Sequence, residues 1–426
     1  MLNREIQPEN CNVAFNVSAL PENFTLPNGI KVYSIGIPST ELIRVDFMFR
    51  GGQWTQSHPL QANMTCKLMR DATRHYPHGQ IAEKLDFYGA VIDSSVNMSY
   101  ARIGVTCLKK FLPNVLPIVL DMIQEPEFSS DRLAMALSKA KVSYDVSMQT
   151  VGEQCKRLFY KAMFAEGHPM TLFPESLDYS TLTVGHLQTY VNQTFCLNNC
   201  VAFLTGNLDE TTLGYVSFML NGLSARYPSS FNGFGELDNY ALLQRRFFHK
   251  MEIPAVQACL RMGCRTIPRT HQDYVPLVVL TTLFGGYFGS RLMSNIRESK
   301  GYTYDIHSSL FQTPQNVLLS IRTETSAEYV DNVVEEVYRE MDRLANEPIA
   351  SDELIRVKNY ILGYMCRTYE NSFSLSSRMM NLCSNGLELK DIVEEAKRIE
   401  SVTPEELISV CQRYYKPTDM VECVVS

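Results

Sequence analysis

The sequence predicts an α+β fold made of two homologous domains, each an antiparallel-rich sheet with helices packed on it. Three observations predict it: a duplication that spans the chain, strand-period and helix-period patterns within each copy, and strand-like segments that come in pairs. The duplication is clearest at two helices. Phe111-Leu-Pro-Asn114-Val115 opens a helical pattern that ends at Glu125-Pro126 and is followed by Ser130-Asp131-Arg-Leu133. Tyr329-Val-Asp-Asn332-Val333 opens another, which ends at Glu347-Pro348 and is followed by Ser351-Asp352-Glu-Leu354. Two copies, separated by roughly half the chain, mean a duplicated domain and not a solenoid, which needs several short repeats.

The elements follow in chain order. The Pro27-Asn28-Gly29 turn starts a strand over Ile30 to Ile35. Ile43, Val45, Phe47 and Phe49 alternate with Arg44, Asp46 and Met48, the period-2 pattern of a half-buried strand. Leu112, Val115, Leu116, Val119 and Met122 recur at helical spacing, with Pro117 inside that helix; Val330, Val333, Val334, Val337, Met341 and Leu344 do the same in the second copy. Each Ser-Asp pair after Glu-Pro is expected to cap the next helix with a side-chain oxygen. Ile37-Pro38 opens one copy and Ile253-Pro254 the other. The polar stretch from about Asp209 to Phe247 is the expected linker, dividing the chain into domains at 1–225 and 226–426.

Composition narrows the function. The chain has 426 residues, 45% hydrophobic and 20% charged, and a formal net charge of −7, which argues against a nucleic-acid partner. The 12 cysteines are scattered, without a C-x-x-C pair, and read as free thiols in a reducing compartment. No secretory leader and no membrane-length apolar run is visible, so a cytoplasmic protein with no membrane partner is expected.

The run from Ser290 through Arg297 to Tyr304 carries the chemistry. It puts a guanidinium at a helix end and a phenol on the following strand, a pair able to hold a peptide backbone by hydrogen bonds. Two other motifs read as structure. His75-Tyr-Pro-His78 is broken by Pro77 and reads as surface-loop histidines, and Gly285-Gly-Tyr-Phe-Gly289 lacks a following Lys-Ser/Thr and reads as a helix C-terminal turn.

With these segments, together with Leu26-Pro-Asn-Gly-Ile-Lys-Val, Phe49-Arg-Gly-Gly52, Ile81 to Ala90, Gly167-His-Pro169 and Leu204-Thr-Gly-Asn-Leu208, the chain resembles the pitrilysin/insulinase zinc peptidases over nearly its whole length. That family includes the mitochondrial processing peptidase subunits. The resemblance implies two homologous domains forming half of a clamshell around a peptide cavity. It implies an inverted H-x-x-E-H zinc motif on a first-domain helix and a distal Glu downstream. Two imidazoles at i and i+4 share a helix face and bind one zinc ion, and the Glu serves as base.

Here Asn63 and Lys67 occupy the ligand positions and Cys66 that of the base, while the distal position falls around Ser143-Tyr144-Asp145, which holds no Glu. No catalytic residue and no metal are therefore expected on this chain. Lys67 reads first as a solvated helix lysine; the alternative is that it fills the vacated metal position near Asp145. The resemblance assigns substrate binding to Arg297 and Tyr304. It implies a non-catalytic, bacterial-type subunit that binds peptides and pairs with a homologous subunit bearing an intact zinc motif, as a heterodimer, or forms a homodimer. The alternatives are a structural or peptide-binding homologue with no role in proteolysis and a stand-alone metalloendopeptidase with an unconventional site.

Overall fold

The computed structural model describes residues 13, 15, 21–223, 234, 244–252 and 255–426. The first half contains β1 (Glu22–Thr25), β2 (Lys31–Gly36), β3 (Leu42–Arg50), α1 (Gln61–Leu68), α2 (Gln80–Phe87), β4 (Val91–Val96) and β5 (Tyr100–Leu108). It continues through α3 (Leu112–Gln124), α4 (Ser130–Ser147), α5 (Val151–Met163), α6 (Asp178–Thr181), α7 (Val184–Thr194), β6 (Cys200–Gly206) and α8 (Glu210–Asn221). The second half contains β7 (Arg246–His249), β8 (Ala258–Thr266), α9 (Tyr274–Thr281), β9 (Thr303–Gln312), β10 (Val317–Thr325) and α10 (Val330–Asn346). It ends with α11 (Ser351–Glu370), α12 (Ser372–Ser384), α13 (Leu389–Ser401), α14 (Pro404–Tyr414) and β11 (Val421–Val425).

The two sheets have one topology. The first runs β1-β2-β6-β3-β5-β4 and the second β7-β11-β8-β10-β9. In each, the strand contributed last by the half (β6 or β11) pairs parallel with an early strand (β2 or β7), and the remaining pairs are antiparallel. The duplication read from two helices thus extends to the order of every strand but β1.

The periodic helices lie where the spacing places them. Leu112, Val115, Leu116, Val119 and Met122 of α3 are buried, as are Val330, Val333, Val334, Val337, Met341 and Leu344 of α10. Three expectations change. Neither Ser-Asp pair caps a helix through its side chain: the N-cap positions are Ser129 and Ala350, neither with a side-chain cap bond, and Asp131 and Asp352 lie inside the first turn, where a carboxylate opposes the helix dipole. The start of the expected linker is α8, whose Val216 and Leu220 are buried against the first sheet. Its end, Arg246 and Phe247, belongs to β7, while most of the stretch between, the boundary at 225/226 and Ile253-Pro254 lie outside the described residues.

The third change concerns β3, which is buried on both faces. Ile43, Val45, Phe47 and Phe49 pack with the first half's own helices, but Met48 on the opposite face is also fully buried. The cover there comes from the second half. Helix α12 packs across β6 and β3, and its Leu375, Met379, Met380, Leu382 and Cys383 join Tyr33, Met48, Val201 and Phe203 in one cluster. On the same face Asp46 is paired with Arg44 (2.8 Å) and accepts from Arg102 Nε (2.8 Å), while Arg44 reaches Ser377 of α12 at 3.4 Å.

The exchange is reciprocal. Helix α5 of the first half packs on β8 and β11 of the second, and Cys155, Phe159, Met163 and Phe164 bury against Cys259, Leu318, Val421, Cys423 and Val425. Gly263 on β8 permits the close fit, since a Cβ there would lie 2.0 Å from the Leu319 carbonyl oxygen and 2.9 Å from Phe159 Cζ.

Among the described residues the 11 cysteines are free thiols, and no helix is long and apolar enough to cross a membrane.

Phe159→Ala empties the contact between α5 and the second sheet. It is expected to lower the unfolding free energy by about 3–5 kcal/mol, read as a shift of the urea midpoint. A loss below about 1 kcal/mol would show that α5 does not tie the halves together.

Candidate functional site

Arg297 lies in a π-helical segment, Met293–Ser299, that follows α9 and an earlier π turn, Thr282–Gly286. Gly285 allows that turn to meet β9, because a Cβ there would come within 2.8 Å of Ser308 Oγ and 2.9 Å of Ser308 N. The Arg297 segment is anchored from the side facing α10. Ile296 is fully buried, and the Asn295 amide donates to the carboxylates of Glu336 and Glu340, each at 2.9 Å. The Tyr302 N–H donates to the Ile296 carbonyl at 3.1 Å and leads the chain into β9.

These anchors leave Arg297 and Tyr304 beside each other. The guanidinium carbon stands 5.4 Å from the Tyr304 ring centroid and 4.6 Å from that of Phe288. Tyr304 is 85% exposed and Phe288 65% exposed. The guanidinium is thus oriented by two rings, and no ion pair among the described residues neutralises it. Phe288 was not singled out in the sequence, although it sits in the Gly285–Gly289 run. Only the packed turn shows that its ring reaches Arg297.

The other half of the expected site lies on α1. Asn63 and Lys67, four residues apart, share its exposed face, and Cys66 is on the buried side at 2% exposure. Burial pushes the Cys66 thiol up to about 12. Helix α1 is held by Gln61, whose amide donates to the His186 carbonyl at 2.7 Å. Asn63 and Lys67 line a cleft of about 730 Å³ together with Ser143, Tyr144 and Ser147 of α4, where the sequence reading places the distal carboxylate.

These groups do not fit a zinc ion. They offer a neutral amide, a cation and hydroxyls, and the thiol is buried on another side of α1. Among the described residues no three or more His, Cys, Asp or Glu side chains converge as metal ligands. Lys67 is exposed and lines the cleft opposite α4, and Asp145 is paired with Lys141 and not with Lys67. His75 and His78 do not converge either, since His75 pairs with Asp121 (2.7 Å) and His78 with Asp71 (2.9 Å).

Helix α5 joins the two half-sites. Lys156 lines both the larger cleft and a second cleft of about 480 Å³, which is walled by Tyr304, Asp305, Arg261, Arg322 and Glu324. Strand β9 spans both as well, with Tyr304 at one end in the smaller cleft and Phe311 at the other in the larger. The floor of the larger cleft includes Pro169 and Met170, positioned by His168. The His168 ring stacks on Phe164 at 4.2 Å, and its Nδ1 accepts the Met170 N–H at 3.0 Å.

Burial, with Arg265 nearby, holds His168 down at about 4. The unfolded chain takes up that proton below about 6.5, so the neutral folded form loses stability as pH falls from there to about 4. Stability measured across this window should decline, and His168→Gln should flatten the decline; an unchanged slope would show that His168 is not the group responsible. The raised Cys66 thiol is protonated at pH 8 and buried, so it should escape iodoacetamide in the folded protein and react after urea unfolding, as read by peptide mass spectrometry. Rapid labelling of the folded chain would mean that Cys66 is a working thiolate.

Comparison with known proteins bears on the fold. Residues 181–361 match the family described as the peptidase M16 inactive domain. The chain is 19% identical to the uncharacterized zinc protease YmxG of Bacillus subtilis, over 84% of this chain and 86% of that one. It is 22% identical to the uncharacterized zinc protease Rv2782c of Mycobacterium tuberculosis, over 92% and 90%. A crystal structure of a peptidase M16 inactive domain from Pseudomonas fluorescens superposes with a TM-score of 0.84 at 17% identity, covering 95% of this chain and 98% of that one. A protease from Helicobacter pylori superposes with a TM-score of 0.81 at 16% identity, covering 96% and 100%. In its fold, and over residues 181–361 in its sequence, the chain is thus similar to the M16 peptidases.

Proposed function

We propose that this chain is the non-catalytic, substrate-binding subunit of a two-chain metallopeptidase that cleaves peptides or unfolded proteins. The observation that carries the proposal is the split state of its site. Tyr304 is exposed in one cleft with the half-buried Arg297 guanidinium against its ring, while the adjoining cleft, which shares Lys156 with it, presents Asn63 and Lys67 of α1. In this reading the Tyr304 hydroxyl donates to the carbonyl oxygen of the bond to be cut, and the Arg297 fork donates to a neighbouring carbonyl. The partner is a homologous chain that carries its own zinc site. Strand β9 is an outer edge of its sheet, so an extended peptide can hydrogen-bond along it and meet Tyr304.

The reading is tested by mixing this chain with a homologue that retains H-x-x-E-H. Peptidase activity is expected in the mixture and not in this chain alone. Arg297→Ala or Tyr304→Phe should reduce kcat/KM by about a hundredfold, the usual loss when one oxyanion donor is removed. Unchanged activity in both variants would sink the role of the pair. About one tightly bound zinc per purified chain would instead revive a stand-alone peptidase.

A further inference from the structure

The larger cleft has an unusual charge balance. Lys67, Lys139, Lys156 and Arg157 line it against a single carboxylate, Glu153, in a chain of formal net charge −7. Glu153 is already engaged, accepting from Lys156 Nζ at 2.6 Å and Arg157 Nε at 3.2 Å. The acids around the rim are engaged too: Asp145 with Lys141, Asp178 with His58 at 3.7 Å, and Glu175 with Lys161 at 3.4 Å. Lys67 and Lys139, from α1 and α4, form no ion pair among the described residues.

Arg157 adds an independent sign. It is 6% exposed, and its guanidinium is fixed between Tyr144 and Phe173, with ring centroids at 5.4 and 5.2 Å. Its Nη1 is buried without a hydrogen bond, since Glu175 stands off at 3.5 Å. A buried charged donor left without an acceptor is costly, and so are like charges gathered in one cavity. An anion entering the cleft relieves both.

We propose that this cleft is an anion pocket that receives the acidic side chain of a bound peptide, with Lys67 and Lys139 as its principal donors. A peptide fits better than a small free anion for two reasons. The cavity is far larger than one anion needs, with Tyr144, Tyr160, Phe173 and Phe311 in its wall for an adjacent apolar residue. It also shares Lys156 and strand β9 with the cleft at Tyr304, so one extended chain laid along β9 can reach both. Lys67 of α1 and Lys139 of α4 would thus read the charge of the substrate.

This inference rests on the peptide-binding reading above, and one experiment separates the two. A fluorescently labelled peptide with a central Glu-Glu pair and its Gln-Gln counterpart are titrated with the full chain. The acidic peptide is expected to bind on the order of tenfold more tightly, the worth of one charge-assisted hydrogen bond. Lys67→Gln with Lys139→Gln should bring its affinity down to that of the Gln-Gln peptide and leave the latter unchanged. Both lysines are exposed, so the double variant should fold, as its thermal melt will show. Equal binding of the two peptides by the wild-type chain, or a preference retained in the double variant, overturns the anion pocket alone. No binding of either peptide overturns the peptide-binding reading as well. Displacement of the acidic peptide by inorganic phosphate at equal concentration would identify a free-anion site and overturn the peptide assignment.

Discussion

Each sheet buries its second face under a helix from the other half of the chain. Helix α12 covers β3 and β6, and α5 covers β8 and β11. A twisted sheet with helices on one face only would leave Tyr33, Met48 and Phe203 on one side, and Leu318, Cys423 and Val425 on the other, open to water. Covering both faces by exchange removes that cost and locks the two halves into one body. It also explains why Asp46, on an inner face, needs Arg44 and Arg102 beside it: no water reaches that surface to solvate a lone carboxylate.

The same exchange builds the site. Helix α5 crosses to the second sheet, so the cleft under α1 and α4 opens beside the strand that carries Tyr304. Residues far apart in the chain, Lys67 and Tyr304, thereby border two clefts that share Lys156. The electrostatics of the larger cleft follow from the residues that line it. A neutral amide and a cation stand at positions suited to metal-binding imidazoles, and the lysines of α4 and α5 add to the positive charge.

Much of the fold was legible because it is written in local patterns. The apolar spacing of α3 and α10 locates their buried faces residue by residue, and the duplicated Glu-Pro junctions mark where each helix ends. The capping expectation failed because Ser130 and Ser351 enter the helix one position too late to cap it, a difference of one residue that composition does not encode. The strand β3 reads as half-buried because its alternation is real. The cover over its polar face comes from more than three hundred residues downstream, beyond any local window.

For the site, the sequence by itself determined which chemical groups are present: a guanidinium and a phenol seven residues apart, and an amide, a thiol and an ammonium at Asn63, Cys66 and Lys67. Side-chain identity is a property of the chain and needs no fold to be read. Only the tertiary structure decided how those groups combine. It turned Cys66 inward and Lys67 outward, set Phe288 against Arg297, paired Asp145 with Lys141, and gathered Lys139, Lys156 and Arg157 around Lys67. Those outcomes depend on helix rotation and on packing between α1, α4 and α5, contacts whose partners are distant in sequence and whose geometry is set by the exchanged helices.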